Sequence, residues 1–228
     1  MFGHSSLLGE IADIINLRGG ILSKIVQNIP EQPIAGRKTL AEQILALPMN
    51  ESRPKDSQAP QHPVLVESIE QFMPQPNEHY IMGFTGAKQA ELVRQLKNAF
   101  NINFESIIHP SVILSPTTQI GEGALILAGT IISSNVEIGN HVFINKASII
   151  GHDAQIGDFV RLQPGVKLSG YVTVEEDATL CVGSIILENL TVGSGSTVAA
   201  GAVVISNVKH NCMVAGVPAT IKKEVRAE

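Results

Sequence analysis

Cysteines and long apolar runs, which mark whole classes of protein, are scarce in this chain. Its 228 residues include only Cys181 and Cys212, too few for a disulfide framework, so we interpret both as buried thiols. No apolar run approaches the roughly 18 residues of a membrane span. The N-terminus lacks the basic region and apolar block of a signal peptide. The sequence therefore predicts a cytoplasmic protein.

Positive charge is not in excess either. The chain has 21 acidic residues against 16 Lys and Arg, a net charge of −5, which gives no electrostatic reason to expect a nucleic-acid partner. Its mean hydropathy of +0.19, with 44% apolar residues, fits a folded protein of one large or two modest domains.

What the chain does contain is a six-residue period that starts at Ile108. Small or β-branched residues mostly stand four positions after each repeat position, and glycine often follows it directly. All seventeen repeat positions hold Ile, Leu or Val: Ile108, Leu114, Ile120, Ile126, Ile132, Ile138, Ile144, Ile150, Ile156, Leu162, Leu168, Val174, Leu180, Ile186, Val192, Val198 and Val204.

A period of six indicates the architecture of this half. Neither a 3.6-residue helix nor a heptad coiled coil keeps such positions on one face, and no single strand is about 100 residues long. One short strand and one turn per hexad, with three hexads closing a triangular coil, satisfies the pattern. Each aliphatic side chain then points inward and stacks on the one a coil away, about 4.8 Å along the axis. The sequence predicts a parallel β-helix of between five and six coils.

The first hundred residues or so show a different pattern, in which helical and strand segments alternate. This alternation predicts a small parallel α/β layer, and hence two domains, residues 1–104 and 105–228. Beyond the hexads we expect a last strand and a short capping helix. The predicted helices cover 5–18 (capped by Ser5 or Ser6), 37–47 and 87–100, the strands 21–27, 63–66 and 80–84, and a mobile loop 48–62.

Several motifs inside this framework are more specific than the period. They are Ile107-Ile108-His109-Pro110-Ser111, Asn145, Gly151-His152-Asp153, Pro164-Gly165, Gly170 and Gly216-Val217-Pro218-Ala219. In these motifs the chain resembles the bacterial hexapeptide-repeat sugar acetyltransferases, which place a small Rossmann-like domain before a left-handed β-helix. That group includes N-acetyltransferases of amino-sugar nucleotides and sialic acid O-acetyltransferases. The resemblance implies acetyl-CoA as co-substrate, no metal, and a homotrimer with each site between two subunits.

The register of the hexads places two of these residues together. His152 stands two positions after Ile150, on an outward turn, and one coil of 18 residues further on is Gly170. A glycine there leaves space and an accessible backbone N–H above the imidazole. The resemblance assigns the general base to His152, the acidic neighbour that raises its basicity to Asp153, and the oxyanion donor to Gly170.

The resemblance also implies a groove for the cofactor. Arg161 stands where close relatives carry a second His that contacts the cofactor, and it can donate hydrogen bonds to the cofactor or its phosphates. Val182, Leu187 and Ala200, with Gly170, match positions along the pantetheine arm.

For the acceptor, the resemblance points to two glycine turns and to Asn145. The first turn is the segment Gly3-His4-Ser5-Ser6, and the second runs from Gly83 to Lys88. Backbone N–H groups at a helix N-terminus would meet phosphate there. The chain departs from the family at Gln27-Asn28, where an acidic pair is usual, which leaves the identity of the nucleotide open.

Several functions remain open. N-acetylation of a nucleotide-linked amino sugar is our first interpretation, and O-acetylation of a sialic-acid-like sugar uses the same residues. A zinc enzyme like the γ-class carbonic anhydrases needs three His, including a pair five residues apart, and no two His here have that spacing. A non-catalytic scaffold is a further alternative, against which the register of His152 and Gly170 argues.

Overall fold

The computed structural model describes Met1, residues 7–27, 39–45, Leu47, 64–86 and 88–224. These residues form two compact units, Met1–Phe84 with Leu96–Phe104 and Thr85–Gln95 with Glu105–Glu228. Three sequence predictions, the Gly3–Ser6 turn, Asn28 and the loop 48–62, lie outside the described residues. Within the described ranges no helix combines the length and the apolar character that a membrane crossing needs.

The N-terminal part contains short helices and a two-stranded parallel sheet. Its elements are α1 (Leu8–Leu17), β1 (Lys24–Gln27), α2 (Leu40–Leu45), β2 (Leu65–Ser68) and α3 (Gln89–Phe100). Strands β1 and β2 run parallel, with Ile25 opposite Val66. Three side chains of α1 that share one face, Leu8, Ile11 and Ile14, are buried. The predicted small parallel α/β layer is thus confirmed, with shorter elements than expected.

Two details of this part correct the sequence analysis. Helix α1 begins at Leu8, and Leu7, which makes no side-chain capping bond, stands at its N-cap instead of Ser5 or Ser6. The segment predicted as a strand at 80–84 forms no named strand, and Tyr80 makes an isolated bridge to Phe104. The Tyr80 hydroxyl accepts a hydrogen bond from the Gln75 backbone N–H at 2.8 Å. That bond closes a turn at the place where the sequence analysis predicted a strand.

The hexads fold as two-residue strands that follow one another every six residues. They are β3 (Ile107–Ile108), β4 (Ile113–Leu114), β5 (Gln119–Ile120), β6 (Leu125–Ile126), β7 (Ile131–Ile132), β8 (Glu137–Ile138), β9 (Phe143–Ile144), β10 (Ile149–Ile150), β11 (Gln155–Ile156), β12 (Arg161–Leu162), β13 (Lys167–Leu168), β14 (Thr173–Val174), β15 (Thr179–Leu180), β16 (Ile185–Ile186), β17 (Thr191–Val192), β18 (Thr197–Val198) and β19 (Val203–Val204).

These strands form three parallel sheets, one for each side of the coil. The first sheet holds β3, β6, β9, β12, β15 and β18, the second β4, β7, β10, β13, β16 and β19, and the third β5, β8, β11, β14 and β17. Each strand from β3 to β16 pairs with the one 18 residues later, as Ile150 does with Leu168. The turns between sheets make three corners. We call them the first corner (first to second sheet), the second corner (second to third) and the third corner (third to first).

The repeat aliphatics fill the interior of this β-helix. From Ile126 to Val204 every one of them is buried, in a single cluster with the small corner residues. Burial of such a side chain contributes about 1.5–3 kcal/mol. The first coil is less covered, since Leu114 remains 37% exposed and Ile108 and Ile120 are only partly buried. The predicted parallel β-helix is confirmed.

The C-terminal end differs from the prediction of a capping helix. Strand β20 (Cys212–Ala215) extends the first sheet beside β18, and β21 (Thr220–Glu224) pairs antiparallel with β20. A turn through Gly216 and Pro218 brings Ile221 opposite Val214. The backbone hydrogen bonds that β20 offers outweigh the local helix propensity of this Lys- and Glu-bearing segment, since tertiary pairing routinely overrides propensity.

Candidate active site at the second corner

The second corner presents its side chains in a regular column. Residues one coil apart there, Asn135, Asp153, Tyr171 and Asn189, all have φ between 57° and 60°, the left-handed region. Backbone bonds join the coils: Asp153 N–H donates to Ser134 O at 3.0 Å and Tyr171 N–H to His152 O at 2.9 Å. The corner therefore holds these turns in fixed register, and it leaves the His152 side chain 50% exposed.

Gly170 lies over His152, as the register predicts. A Cβ built on Gly170 would stand 2.7 Å from His152 Cε1 and 2.8 Å from Nε2, closer than van der Waals contact allows. Only glycine leaves the imidazole in this position. Among the described residues the Gly170 N–H takes part in no hydrogen bond, whereas its C=O accepts one from Asn189 at 3.2 Å.

Asp153 fixes the state of the imidazole. His152 Nδ1 lies 2.8 Å from Asp153 Oδ2. The pKa of the Asp153 carboxyl is lowered, first by this hydrogen bond and then by one from the Asn135 amide. An ionised carboxylate is an acceptor only, so Nδ1 carries the proton of the pair. Nε2 of the neutral imidazole is then left with a free lone pair, as a general base requires.

Tyr171 is a neighbour of His152 that the sequence analysis missed. Its ring meets the imidazole edge to face, with centroids 5.2 Å apart and an interplanar angle of 89°. The ring is 53% exposed, although its backbone has the left-handed conformation that bulky residues rarely adopt. The register offered the signal, since Tyr171 follows Gly170 and stands one coil above Asp153.

Arg161, a predicted cofactor contact, is held within the chain. Its Nε donates to Thr179 Oγ1 at 2.9 Å, and its Nη2 to Asp177 O at 3.4 Å. Nη1 lies 3.5 Å from Asp177 Oδ1 without a hydrogen bond to it. The side chain is 17% exposed, on the outer surface of the first sheet. These three contacts of the Arg161 guanidinium are all with residues of the next coil.

The other predicted site residues fall into two groups on one chain. Leu187 shares the second corner with His152, Asp153 and Gly170, two coils above Gly151. Asn145, Val182 and Ala200 lie on the first corner, where Asn145 Oδ1 accepts the Lys146 N–H at 2.8 Å and Val182 O accepts the Gly201 N–H at 2.9 Å. The outer surface of the second sheet separates the two groups.

The predicted acceptor residues are described only in part. Gly3, His4, Ser5 and Ser6 lie outside the described residues. Gly83 is buried in the first compact unit, and Lys88, just before α3, is exposed in the second. The described portion of the chain holds no group of three or more His, Cys, Asp or Glu side chains suited to a metal ion.

Comparison with known proteins agrees with this fold. Residues 95–194 match the family described as the GMPPB C-terminal domain, a region shorter than half of the chain. No curated protein matches.

Solved structures match over almost the whole length. One is a point mutant of perosamine N-acetyltransferase from Caulobacter crescentus in complex with CoA and GDP-perosamine, with a TM-score of 0.77, 23% identity, and coverage of 98% of this chain and 95% of that one. Another is the acetyltransferase domain of PglB from Neisseria gonorrhoeae with acetyl coenzyme A (0.75, 22%, 97% of each chain). A third is WeeI from Acinetobacter baumannii (0.74, 24%, 97% of each chain). At these identities they show a shared fold of small α/β domain and β-helix.

Proposed function

We propose that this chain is an acetyl-CoA-dependent acetyltransferase that N-acetylates a nucleotide-linked amino sugar. The observation that carries the proposal is the pair His152 and Gly170, an imidazole oriented by a carboxylate beneath an unobstructed glycine. Two of the matched structures support the cofactor and the acceptor class, since one contains CoA and GDP-perosamine and the other acetyl coenzyme A.

The proposed reaction is a direct transfer. The neutral amine of the acceptor attacks the thioester carbonyl of acetyl-CoA, and His152 Nε2 takes a proton from the amine nitrogen as the C–N bond forms. The Gly170 N–H donates to the oxyanion of the tetrahedral intermediate. When the C–S bond breaks, the protonated imidazole returns its proton to the departing thiolate. The products are an acetamido sugar and CoA, and no covalent enzyme intermediate is needed.

The proposed cofactor groove combines both corners. Leu187 and Val182 are 43% and 53% exposed and offer apolar surface to a pantetheine arm. Because Val182, Ala200 and Asn145 lie on the first corner and His152 on the second, one chain does not bring them together. A second copy whose first corner packs beside the second corner of this chain would complete the groove.

The proposed assembly is therefore a homotrimer. Three isoleucines that point outward from the second sheet, Ile113, Ile131 and Ile149, are 64%, 38% and 40% exposed, an apolar strip of the kind that marks an interaction surface. Sedimentation equilibrium should give three times the mass of 24.3 kDa. Ile131→Glu should dissociate the protein and lower turnover together. A fully active monomer at working concentration would contradict the proposal.

The remaining parts of the proposal concern the acceptor and the compartment. Residues 1–104 would serve as the acceptor-binding domain, with Gly3–Ser6, Gly83, Lys88 and Asn145 as contacts, and residues 105–228 as the acetyltransferase domain. The free thiols of Cys181 and Cys212 fit a cytoplasmic location.

The acceptor can be tested by release of CoA over a panel of amino sugars linked to guanosine, uridine and thymidine diphosphates, with free sialic acid as a comparison. Turnover with a nucleotide-linked amino sugar supports N-acetylation. Turnover with free sialic acid alone would replace it by O-acetylation. Release of CoA with simple amines but no sugar would reject a sugar acceptor.

A further inference from the structure

A column of hydrogen bonds runs beneath the proposed base and ends on it. Thr117 Oγ1 accepts the Asn135 backbone N–H at 2.8 Å, and the Asn135 amide Nδ2 donates to Asp153 Oδ1 at 3.2 Å. Asp153 Oδ2 then pairs with His152 Nδ1 at 2.8 Å. We propose that Asn135 is a positioning residue for the acetyltransferase site: it holds the Asp153 carboxylate in the orientation that keeps the proton on His152 Nδ1. This inference rests on the proposed function.

The two oxygens of Asp153 have separate partners. The side chain is 32% exposed. Without Asn135, rotation about its Cβ–Cγ bond would therefore exchange the hydrogen bond to His152 for one to water, at little cost in free energy. With Asn135 in place, Oδ1 is engaged on the coil below while Oδ2 is engaged with the imidazole. The amide therefore restricts the carboxylate to one orientation.

The residue type at position 135 fits this role. Its φ of 58° lies in the left-handed region, which Gly, Asn and Asp tolerate best. Of these three, glycine has no donor, and aspartate would place a second carboxylate beside the first. Of the three, only asparagine can both adopt this left-handed backbone conformation and donate a side-chain hydrogen bond to Asp153.

The charges around Asp153 agree with the geometry. Among the described residues, the side chains that hydrogen-bond to the Asp153 carboxylate are His152 on its own turn and Asn135 one coil below. The Asn135 bond is the second cause of the lowered Asp153 pKa, after His152. It therefore favours the ionised, acceptor-only carboxylate.

The third corner provides a matched control. There the Asn140 amide donates to both oxygens of Asp158, one coil above, at 3.3 and 3.2 Å, and its backbone N–H donates to Oδ1 at 2.7 Å. No histidine hydrogen-bonds to this carboxylate among the described residues. Substitution of Asn140 therefore removes the same kind of hydrogen bond between coils at a place distant from the proposed site.

Three variants separate positioning from simple stability. Asn135→Gly removes the amide and keeps the left-handed backbone, Asn135→Asp replaces the donor by a carboxylate, and Asn140→Ala is the control. For each we would measure kcat and KM for acetyl-CoA, the pH profile, and thermal unfolding. In protein labelled at its seven histidines, NMR follows the titration of the His152 ring, assigned with His152→Ala.

The expected results differ between the variants. Asn135→Gly should lower kcat by about 2- to 12-fold, the equivalent of one ordinary hydrogen bond, with KM for acetyl-CoA unchanged. Asn135→Asp should move the acid limb of the pH profile and the His152 titration to higher pH, since added negative charge favours the imidazolium. Asn140→Ala should leave kcat and the titration unchanged.

Two outcomes would overturn the inference. One is a kcat for Asn135→Gly equal to that of the wild type or of Asn140→Ala. The other is a His152 titration that does not respond to Asn135→Asp. Because the titration needs no substrate, it tests the column even if no acceptor is turned over. Absence of turnover by the wild type with every acceptor would instead count against the proposed function.

Discussion

Gly170 and His152 stand one coil apart, so close that a single methyl group on Gly170 would lie 2.7 Å from the imidazole. Gly170→Ala should therefore displace His152 and abolish most acetyl transfer. The overlap is with a movable side chain, so thermal stability should change little. At Gly151 a Cβ would instead overlap the backbone of Ser169, which cannot move aside. Gly151→Ala should consequently lower the melting temperature markedly. An active Gly170→Ala variant would contradict the close approach.

The pH dependence should follow the imidazole. Acetyl transfer should fall as the pH is lowered and His152 becomes protonated, because an imidazolium cannot accept a proton. The hydrogen bonds from His152 and Asn135 lower the pKa of the Asp153 carboxyl, which therefore stays ionised at neutral pH. Its stabilising contribution is present above the unfolded-state pKa and is lost only as pH falls through the lowered folded-state pKa.

Asp153→Asn tests this coupling. The isosteric amide fits the left-handed backbone and removes the negative charge beside His152. The acid limb of the pH profile should move to lower pH, since the imidazolium loses its counterion. The maximal rate should fall by less than it does in His152→Ala. An unchanged acid limb would show that Asp153 does not act on the imidazole.

Tyr171 should matter through its ring and not its hydroxyl. The edge-to-face contact with His152 places an aromatic wall beside the base, and such contacts contribute about 0.5–1.5 kcal/mol. Tyr171→Phe should keep wild-type kcat, whereas Tyr171→Asn, which suits the left-handed backbone, should lower kcat about 2- to 12-fold. Equal loss in both variants would assign the effect to the hydroxyl instead.

How much the sequence predicted depended on the physical origin of each feature. The coil length of 18 residues follows from the period, so the stacking of Gly170 over His152 was predictable from residue numbers alone. Asn135 and Tyr171 obey the same register, but their side chains carry no motif, and only the hydrogen bond and the ring contact give them significance. Helix propensity failed at Thr220–Glu224 because a neighbouring strand offered a ladder, a tertiary effect that local sequence does not encode.

The central claim is that His152 acts as the base of acetyl transfer to a nucleotide-linked amino sugar. The direct test compares CoA release by the wild type and His152→Ala at saturating acetyl-CoA, with His210→Ala as the control on an exposed histidine. We expect His152→Ala to remain folded and to lose on the order of 10²–10⁴ in turnover, while His210→Ala keeps wild-type turnover. Near-full activity in a folded His152→Ala variant would contradict the mechanism.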